Sequence, residues 1–399
     1  MRFTADGPSI PDELLLARDQ GRVVFFCGAG VSRAKADLPD FFGLAEKVIT
    51  KLGVQPDSSI VKLLAEAKEI GTRTGIDGLI SADRVFGLLE REFSPQDVNL
   101  AVASALKPES NCDISAHQIL VRLATSREGL VRIVTTNFDR IFDQCGQNLK
   151  SFQPPSLPDP ARPKELNGIV YLHGKASKDY DGAEGDGFVL SSAEFGNAYL
   201  AAGWATLFFR EIIQRYAVCF VGYSADDPPV HYLLEAMNKT VGKLDGVYAF
   251  QSGEAASAAA KWQYKGVQAI PYEKHPALWE TLQAWAERAD YPDKWTAQII
   301  EMAKQGPEAL ESYQRGQVAH VVGTLGGVRK FSEVEVPADW LCVFDPGIRF
   351  KRSGRIGRLS DEKQFVDPFA LYGLDEDQVP ETIDPDNHQA KRELPIGSW

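Results

Sequence analysis

Four short polar signatures, each directly after an apolar run, carry the residue types from which a nucleotide-handling site is built. Gly28-Ala29-Gly30-Val31-Ser32 follows Val23-Val24-Phe25-Phe26-Cys27. A strand ending in Gly-x-Gly brings backbone N–H groups to the start of a helix with no Cβ between them and a pyrophosphate. Thr135-Thr136-Asn137-Phe138-Asp139 follows the run 131–134. An amide and a carboxylate two positions apart can hold a ribose hydroxyl, a water or a carboxamide; equally they can form an Asx turn or cap a helix beginning near Arg140. His173 stands between Leu172 and Gly174 after Ile169-Val170-Tyr171. Its imidazole suits proton acceptance near neutral pH, although a lone histidine at a strand end also serves structure. Gly222-Tyr223-Ser224 closes a further run, and Ser224 either meets a nucleotide or caps the helix after Pro228-Pro229.

Strand ends converge on one edge only if the strands are parallel, so the elements must supply that arrangement. Short β-rich runs alternate with longer helical stretches, which predicts an α/β, Rossmann-like parallel sheet with helices on both faces. The expected strands are 22–27, 131–135, 168–172, 217–222, 246–250 and 267–270. The expected helices include 11–19, 41–51, 58–70, 82–92, 113–125, 203–216, 228–238 and 275–289. The long, helical interval between the first two strands exceeds a plain βαβ crossover and predicts a helical insertion over about 41–130. Residues 151–167, with five prolines, read as a loop, and the Asp- and Gly-rich stretch 178–187 as a mobile surface loop. The domain expectation is a catalytic domain over 1–305. A small β-containing module would follow over 306–399, with Trp340-Leu341-Cys342-Val343-Phe344 as a β-like run and an acidic tail that could lead into a longer protein.

Composition narrows the function classes. The 399 residues include 44% hydrophobic and 10% aromatic side chains, enough for a substantial core. A formal net charge of −12 argues against general nucleic-acid affinity. The five cysteines are scattered with no Cys-x-x-Cys, which predicts neither a zinc ribbon nor a disulfide framework. No stretch approaches the roughly 20 apolar residues of a membrane span, and the expected setting is cytoplasmic. The glycine turn also lacks the third glycine of a dehydrogenase fingerprint, because that position is Arg33.

In kind and in order, Gly-Ala-Gly-Val-Ser, Thr-Asn-x-Asp, Leu-His-Gly and Gly-x-Ser resemble the sirtuin family over roughly residues 20–275. The resemblance implies NAD as the ligand. It places Gly28, Ala29, Gly30 and Ser32 at the phosphates and nicotinamide ribose, Asn137 at the ribose and Asp139 at the carboxamide. His173 is then the base, and Gly222 and Ser224 lie on the adenosine side. Leu38-Pro39-Asp40-Phe41 resembles the family's Ile-Pro-Asp-Phe and adds Asp40 to the NAD-binding set, with Phe42 where Arg is usual.

Protein-deacylating sirtuins carry a four-cysteine zinc module between the His and Gly-x-Ser motifs. Here that interval holds only Cys219, and Tyr223 replaces the usual Thr. What remains is similar to the sirtuin-like domains of bacterial antiphage defence proteins, the defence-associated sirtuins. That resemblance implies an NAD glycohydrolase, releasing nicotinamide and ADP-ribose without a metal and depleting NAD in abortive infection. An unregulated NAD hydrolase would empty the cell of an essential cofactor, so restraint is expected, from 41–130 or from the module after 306, through homo-oligomer contacts or through a phage protein or companion defence protein as trigger. A zinc-free NAD-dependent deacylase and a non-catalytic NAD or ADP-ribose sensor are the alternatives.

Overall fold

Runs rich in Val, Ile and Phe become the strands of one parallel sheet. The structure, a computed structural model, describes residues 1–74, 80–223, 234, 238 and 245–344. Its strands are β1 (Val23–Cys27), β2 (Arg132–Thr135), β3 (Ser151–Phe152), β4 (Gly168–Tyr171), β5 (Ala217–Val221), β6 (Val247–Ser252) and β7 (Gln268–Tyr272). They lie in the order β3-β4-β2-β1-β5-β6-β7, with every neighbouring pair parallel. β1, β2 and β4 are buried along their whole length, as strands covered on both faces must be. The α/β, Rossmann-like expectation holds.

Register decides the rest of the geometry. Cys27 pairs with Thr135 and with Val221, and Thr135 pairs with Tyr171, so these four residues form one row across β4, β2, β1 and β5. All four polar signatures emerge at or just beyond that row. The chain also reverses direction across the sheet there: β2 and β4 lie to one side of β1 and β5 to the other. That makes the ends of β1 and β5 the topological switch point.

Between β1 and β2 the expected helical insertion is present as α3 (Phe41–Lys51), α4 (Ser59–Thr74), α5 (Ala82–Glu92), α6 (Pro95–Ala105) and α7 (Ser115–Ala124), following α1 (Asp12–Asp19) and α2 (Ala29–Ala36). The first four of these helices share a core that includes Leu44, Val48, Val85, Phe86 and Val102 and takes in Phe138 and Phe188 from beyond β2 and β4. α7 differs. It packs beside β1, β2 and α2, so it belongs to the layer covering the sheet and not to the inserted bundle. Later come α8 (Ser192–Gly196), a π-helical turn Asn197–Ala201, and α9 (Trp204–Arg215). The expected helix 228–238 lies outside the described residues, save Leu234 and Asn238.

Three expectations are corrected. The proline-rich stretch 151–167 contains β3, where Ser151 and Phe152 pair with Ile169 and Val170; two residues are too few to show a period. The stretch 178–187 is anchored: Tyr180 is buried and accepts a hydrogen bond from the Arg140 amide at 3.0 Å, while Glu184 pairs with Arg140 and, at 3.3 Å, with Lys175. The third concerns the C-terminal region, where the chain divides between Ala286 and Glu287, not at 305, and Met1–Pro11 joins the second unit.

Within its described residues after Glu287 that second unit is helical and holds no strand; Met1–Pro11 contributes one antiparallel bridge, between Arg2 and Ser9. Ile299, Ile300 and Ala303 share a core with Val318, Val321, Phe331 and Trp340. The run Trp340–Phe344 is a helical turn, with Phe344 stacked on Trp340 at 5.2 Å. A short apolar run suits a strand and a buried helical turn alike, and here the i, i+3, i+4 contacts decide. Residues 345–399, including the acidic tail, lie outside the described residues.

Candidate functional site

The glycine turn and the end of β5 meet backbone to backbone. A Cβ on Gly28 would lie 2.6 Å from the Gly222 carbonyl oxygen, and one on Gly30 would lie 2.8 Å from Gly222 Cα. Gly222 itself has φ +71°, and its Cβ would reach within 2.5 Å of the Val31 nitrogen. The amides of Gly28 and Gly30 donate to Val221 O and Gly222 O, each at 2.9 Å. This corrects one sequence expectation. The two glycine N–H groups are bonded inside the fold, and the glycines are required because two backbones come into contact. Ala29, half-buried, opens α2 with Gly28 as its N-cap.

One turn into α2, Ser32 becomes the centre of a buried polar network. Its hydroxyl donates to Asp139 Oδ2 at 2.7 Å, and a carboxylate can only accept. Asn137 Nδ2 donates to Ser32 Oγ at 3.0 Å and to Gly28 O at 3.1 Å. A carbonyl oxygen cannot donate, so the Gly28 contact fixes which way the amide faces. Asn137 Oδ1 therefore points away from these partners and accepts no hydrogen bond among the described residues. Asp139 Oδ1 accepts from the Ile141 amide at 3.1 Å, which is the Asx turn. Both of its oxygens thus engage the protein.

The fourth member of the network is His117 on α7, 3.1 Å from Ser32 Oγ through Nε2. With the single Ser32 proton given to Asp139, His117 Nε2 is the donor. Its Nδ1 is buried with no partner among the described residues. Burial pushes its pKa down, against the opposing pull of Asp139. No motif in the sequence marks His117. It lies on the apolar face of α7 with Ala116, Leu120 and Leu123, and nothing in that pattern separates a network histidine from a packed one.

His173 stands apart from this network, beyond β4. It is 4% exposed, and burial drives its pKa down to about 3, so the ring is neutral across the physiological range. Nε2 lies 2.8 Å from the Tyr199 hydroxyl on the π-helical turn, and Phe195 packs edge-on against the ring at 5.1 Å. Gly174 is needed because Gly187 O would stand 2.5 Å from its Cβ. His173 lines a cavity of about 510 Å³ together with Phe188, Asn197 and Trp204, and with the acidic side chains Glu90, Asp186 and Glu194. Tyr199 carried no signature in the sequence.

Asp40 sits outside both groups. It caps α3, accepting from the Gly43 amide at 2.8 Å, and pairs with Arg33 at 3.1 Å. Arg33, the residue in place of a third glycine, thus ties α2 to the start of α3. Ser224 lies outside the described residues. Tyr223 bonds Thr136 at 2.8 Å, linking the ends of β5 and β2. Among the described residues no group of three or more His, Cys, Asp or Glu side chains could hold a metal, and no helix is long and apolar enough to cross a membrane.

Asn137, Asp139, His173 and Gly222 thus follow the ends of parallel strands, in that order along the chain. Residues 131–270 match the SIR2-like domain. All four residues lie inside the SIR2-like stretch, whereas the glycine turn, Ser32, Asp40 and His117 precede it. The chain is also similar to the uncharacterized protein y4cA of Sinorhizobium fredii (strain NBRC 101917 / NGR234), 31% identical over 331 residues. That match covers 77% of this chain and 26% of the relative, so the chain spans about a quarter of that protein's length. Among solved structures, a Sir2 homologue in complex with NAD aligns with 72% of this chain and 97% of its own. A structure addressing the mechanism and regulation of Sir2 enzymes aligns with 71% and 100%. Each is 15% identical, with a TM-score of 0.34.

Proposed function

We propose that the chain hydrolyses the bond between nicotinamide and ribose in NAD. The observation that carries this reading is the fixed amide of Asn137, whose Oδ1 is left to accept a hydrogen bond from a ligand hydroxyl or a water. It stands at the strand row where the glycine turn, His173 and Gly222 also emerge.

In this reading the pyridinium C1′–N bond breaks with its electron pair going to nitrogen, so nicotinamide leaves neutral and needs no strong general acid. A water oxygen bonds to C1′, held by Asn137 Oδ1. His173 Nε2, neutral at working pH, exchanges the Tyr199 hydroxyl for that water or a ribose hydroxyl and accepts the proton. Asp139 acts through Ser32, holding the hydroxyl that in turn holds Asn137. A grip of Asp139 on the carboxamide is the weaker assignment, because both its oxygens already accept protein donors. Gly28, Ala29, Gly30, Gly222 and Ser224 would flank the phosphates and adenosine side. The role of Asp40 is the capping of α3 that positions this edge.

The setting we propose is cytoplasmic antiphage defence by NAD depletion. The chain would act as a homo-oligomer restrained until a phage protein or companion defence protein engages it. The SIR2-like match supports the NAD chemistry, and the defence setting rests on the order of motifs and the missing four-cysteine module. Mixing the protein with NAD and following free nicotinamide, with and without an acetylated peptide, tests the chemistry. Release without peptide is the expected result. Strict peptide dependence makes the protein a zinc-free deacylase, and binding without turnover makes it a sensor.

A further inference from the structure

The opposite end of the sheet carries a second cavity, of about 490 Å³, formed where the chain enters β1, β2 and β5. Arg22, Arg127, Arg132 and Arg215 all line it, against the carboxylates of Asp19 and Glu128. This local excess of cations runs counter to a chain with 55 acidic and 43 basic residues.

Arg132 is the decisive member. It is 4% exposed, yet no carboxylate pairs with it among the described residues. Its Nη1 and Nη2 donate to Gly21 O at 2.8 Å and Pro163 O at 3.2 Å, its guanidinium lies 5.4 Å from the Tyr216 ring centre, and its Nε has no partner. Neutral carbonyls orient the guanidinium without cancelling its charge. A buried charge lacking a counter-charge is costly, and an anion beside it removes that cost. Arg127, exposed at the rim, likewise has no ion pair among the described residues. Arg215 shares Glu211, and Arg22 bonds the Gln20 amide. Asp19 is drawn to Arg18 at 3.8 Å.

We propose that this cavity binds a phosphate-bearing small molecule, with Arg127 and Arg215 gripping the phosphate and Arg132 supplying fixed positive charge beneath it. Guanidinium forks match phosphate oxygens in pairs, which is why arginine and not lysine suits such a wall. The volume falls within the range of small-molecule sites and leaves room for more than a lone phosphate.

Calorimetric titration of the whole chain with inorganic pyrophosphate, with ADP and with uncharged adenosine tests this. Pyrophosphate and ADP should bind saturably and adenosine should not, with affinity falling as salt rises. Equal affinity for the two assigns recognition to the phosphates, and a preference for ADP adds the nucleoside. Arg127→Ala with Arg215→Ala should weaken both by about tenfold or more while leaving the melting temperature of the free protein unchanged. Arg127→Glu alone is the fallback should the double variant misfold, and His173→Ala should leave this binding intact. No saturable binding of either phosphate probe overturns the proposal. So does binding undiminished in the arginine variants, or binding abolished by His173→Ala.

Discussion

The hydroxyl of Ser32 donates to Asp139 across 2.7 Å although 107 residues separate them in the chain. The same oxygen meets Asn137 and His117, so one small side chain satisfies three buried polar groups. Ser32→Ala should therefore destabilise the fold by at least about 1–3 kcal/mol, the cost of leaving buried partners unmade. It should also lower nicotinamide release by freeing the Asn137 amide to turn. Urea unfolding and the NAD assay on one preparation check both. Unchanged stability would mean that the network does not hold together as described.

His173→Ala and Asn137→Ala should each cost about 10²–10⁴-fold in NAD cleavage, the usual effect of losing a positioned proton acceptor or water holder. Both residues lie past strand ends, so the circular dichroism spectrum should be unchanged. Near-full turnover by the His173 variant would sink the proposed mechanism. Tyr199→Phe is the companion measurement. It keeps the ring against His173 but frees Nε2, and a rise in turnover is expected if the Tyr199 hydroxyl competes with the substrate.

Gly222→Ala places a methyl group 2.5 Å from the Val31 nitrogen at φ +71°. Strain and overlap together should cost about 2–4 kcal/mol, lowering the melting temperature by several degrees and weakening NAD binding. A variant that melts with the wild type would show that the β1 and β5 ends do not make this contact.

Acid should weaken the fold earlier than its carboxylates alone would dictate. His173, at about 3, stays neutral in the native state, and burial pushes His117 down as well. In the unfolded chain both titrate near 6.5. Between that value and the native one the unfolded state binds more protons, so stability is intact above about pH 6.5 and falls as pH drops below it. His173 contributes a slope of about 1.4 kcal/mol per pH unit in that window, and His117 adds to it in the same direction. Urea midpoints at pH 7.5, 6 and 5 measure the slope, which His173→Phe should make shallower. A flat profile over this range would contradict the burial of both rings.

Much of the architecture was written in local pattern. Apolar runs with β-branched and aromatic residues marked six of the seven strands, and Gly-x-Gly, Asn-x-Asp, His-Gly and Gly-x-Ser marked where each chemistry-bearing strand ends. Period and turn chemistry are local properties, and a chain displays them before it folds. Register is not local. That Cys27, Thr135, Tyr171 and Val221 share a row depends on pairing between segments far apart in sequence, and only that pairing turns four motifs into one edge. The same limit hid His117, which looks like any apolar-face residue of α7 until α7 packs beside β1 and brings it to Ser32. It hid Tyr199 behind His173, and Arg132, whose missing counter-charge exists only once burial removes it from water. It also reassigned Gly28 and Gly30 from bare phosphate donors to points of backbone contact with Gly222. Residue type and spacing name the chemistry available to this chain. Which groups meet, and which are already bonded to one another, is decided by long-range packing, because hydrogen bonds and burial belong to neighbours in space.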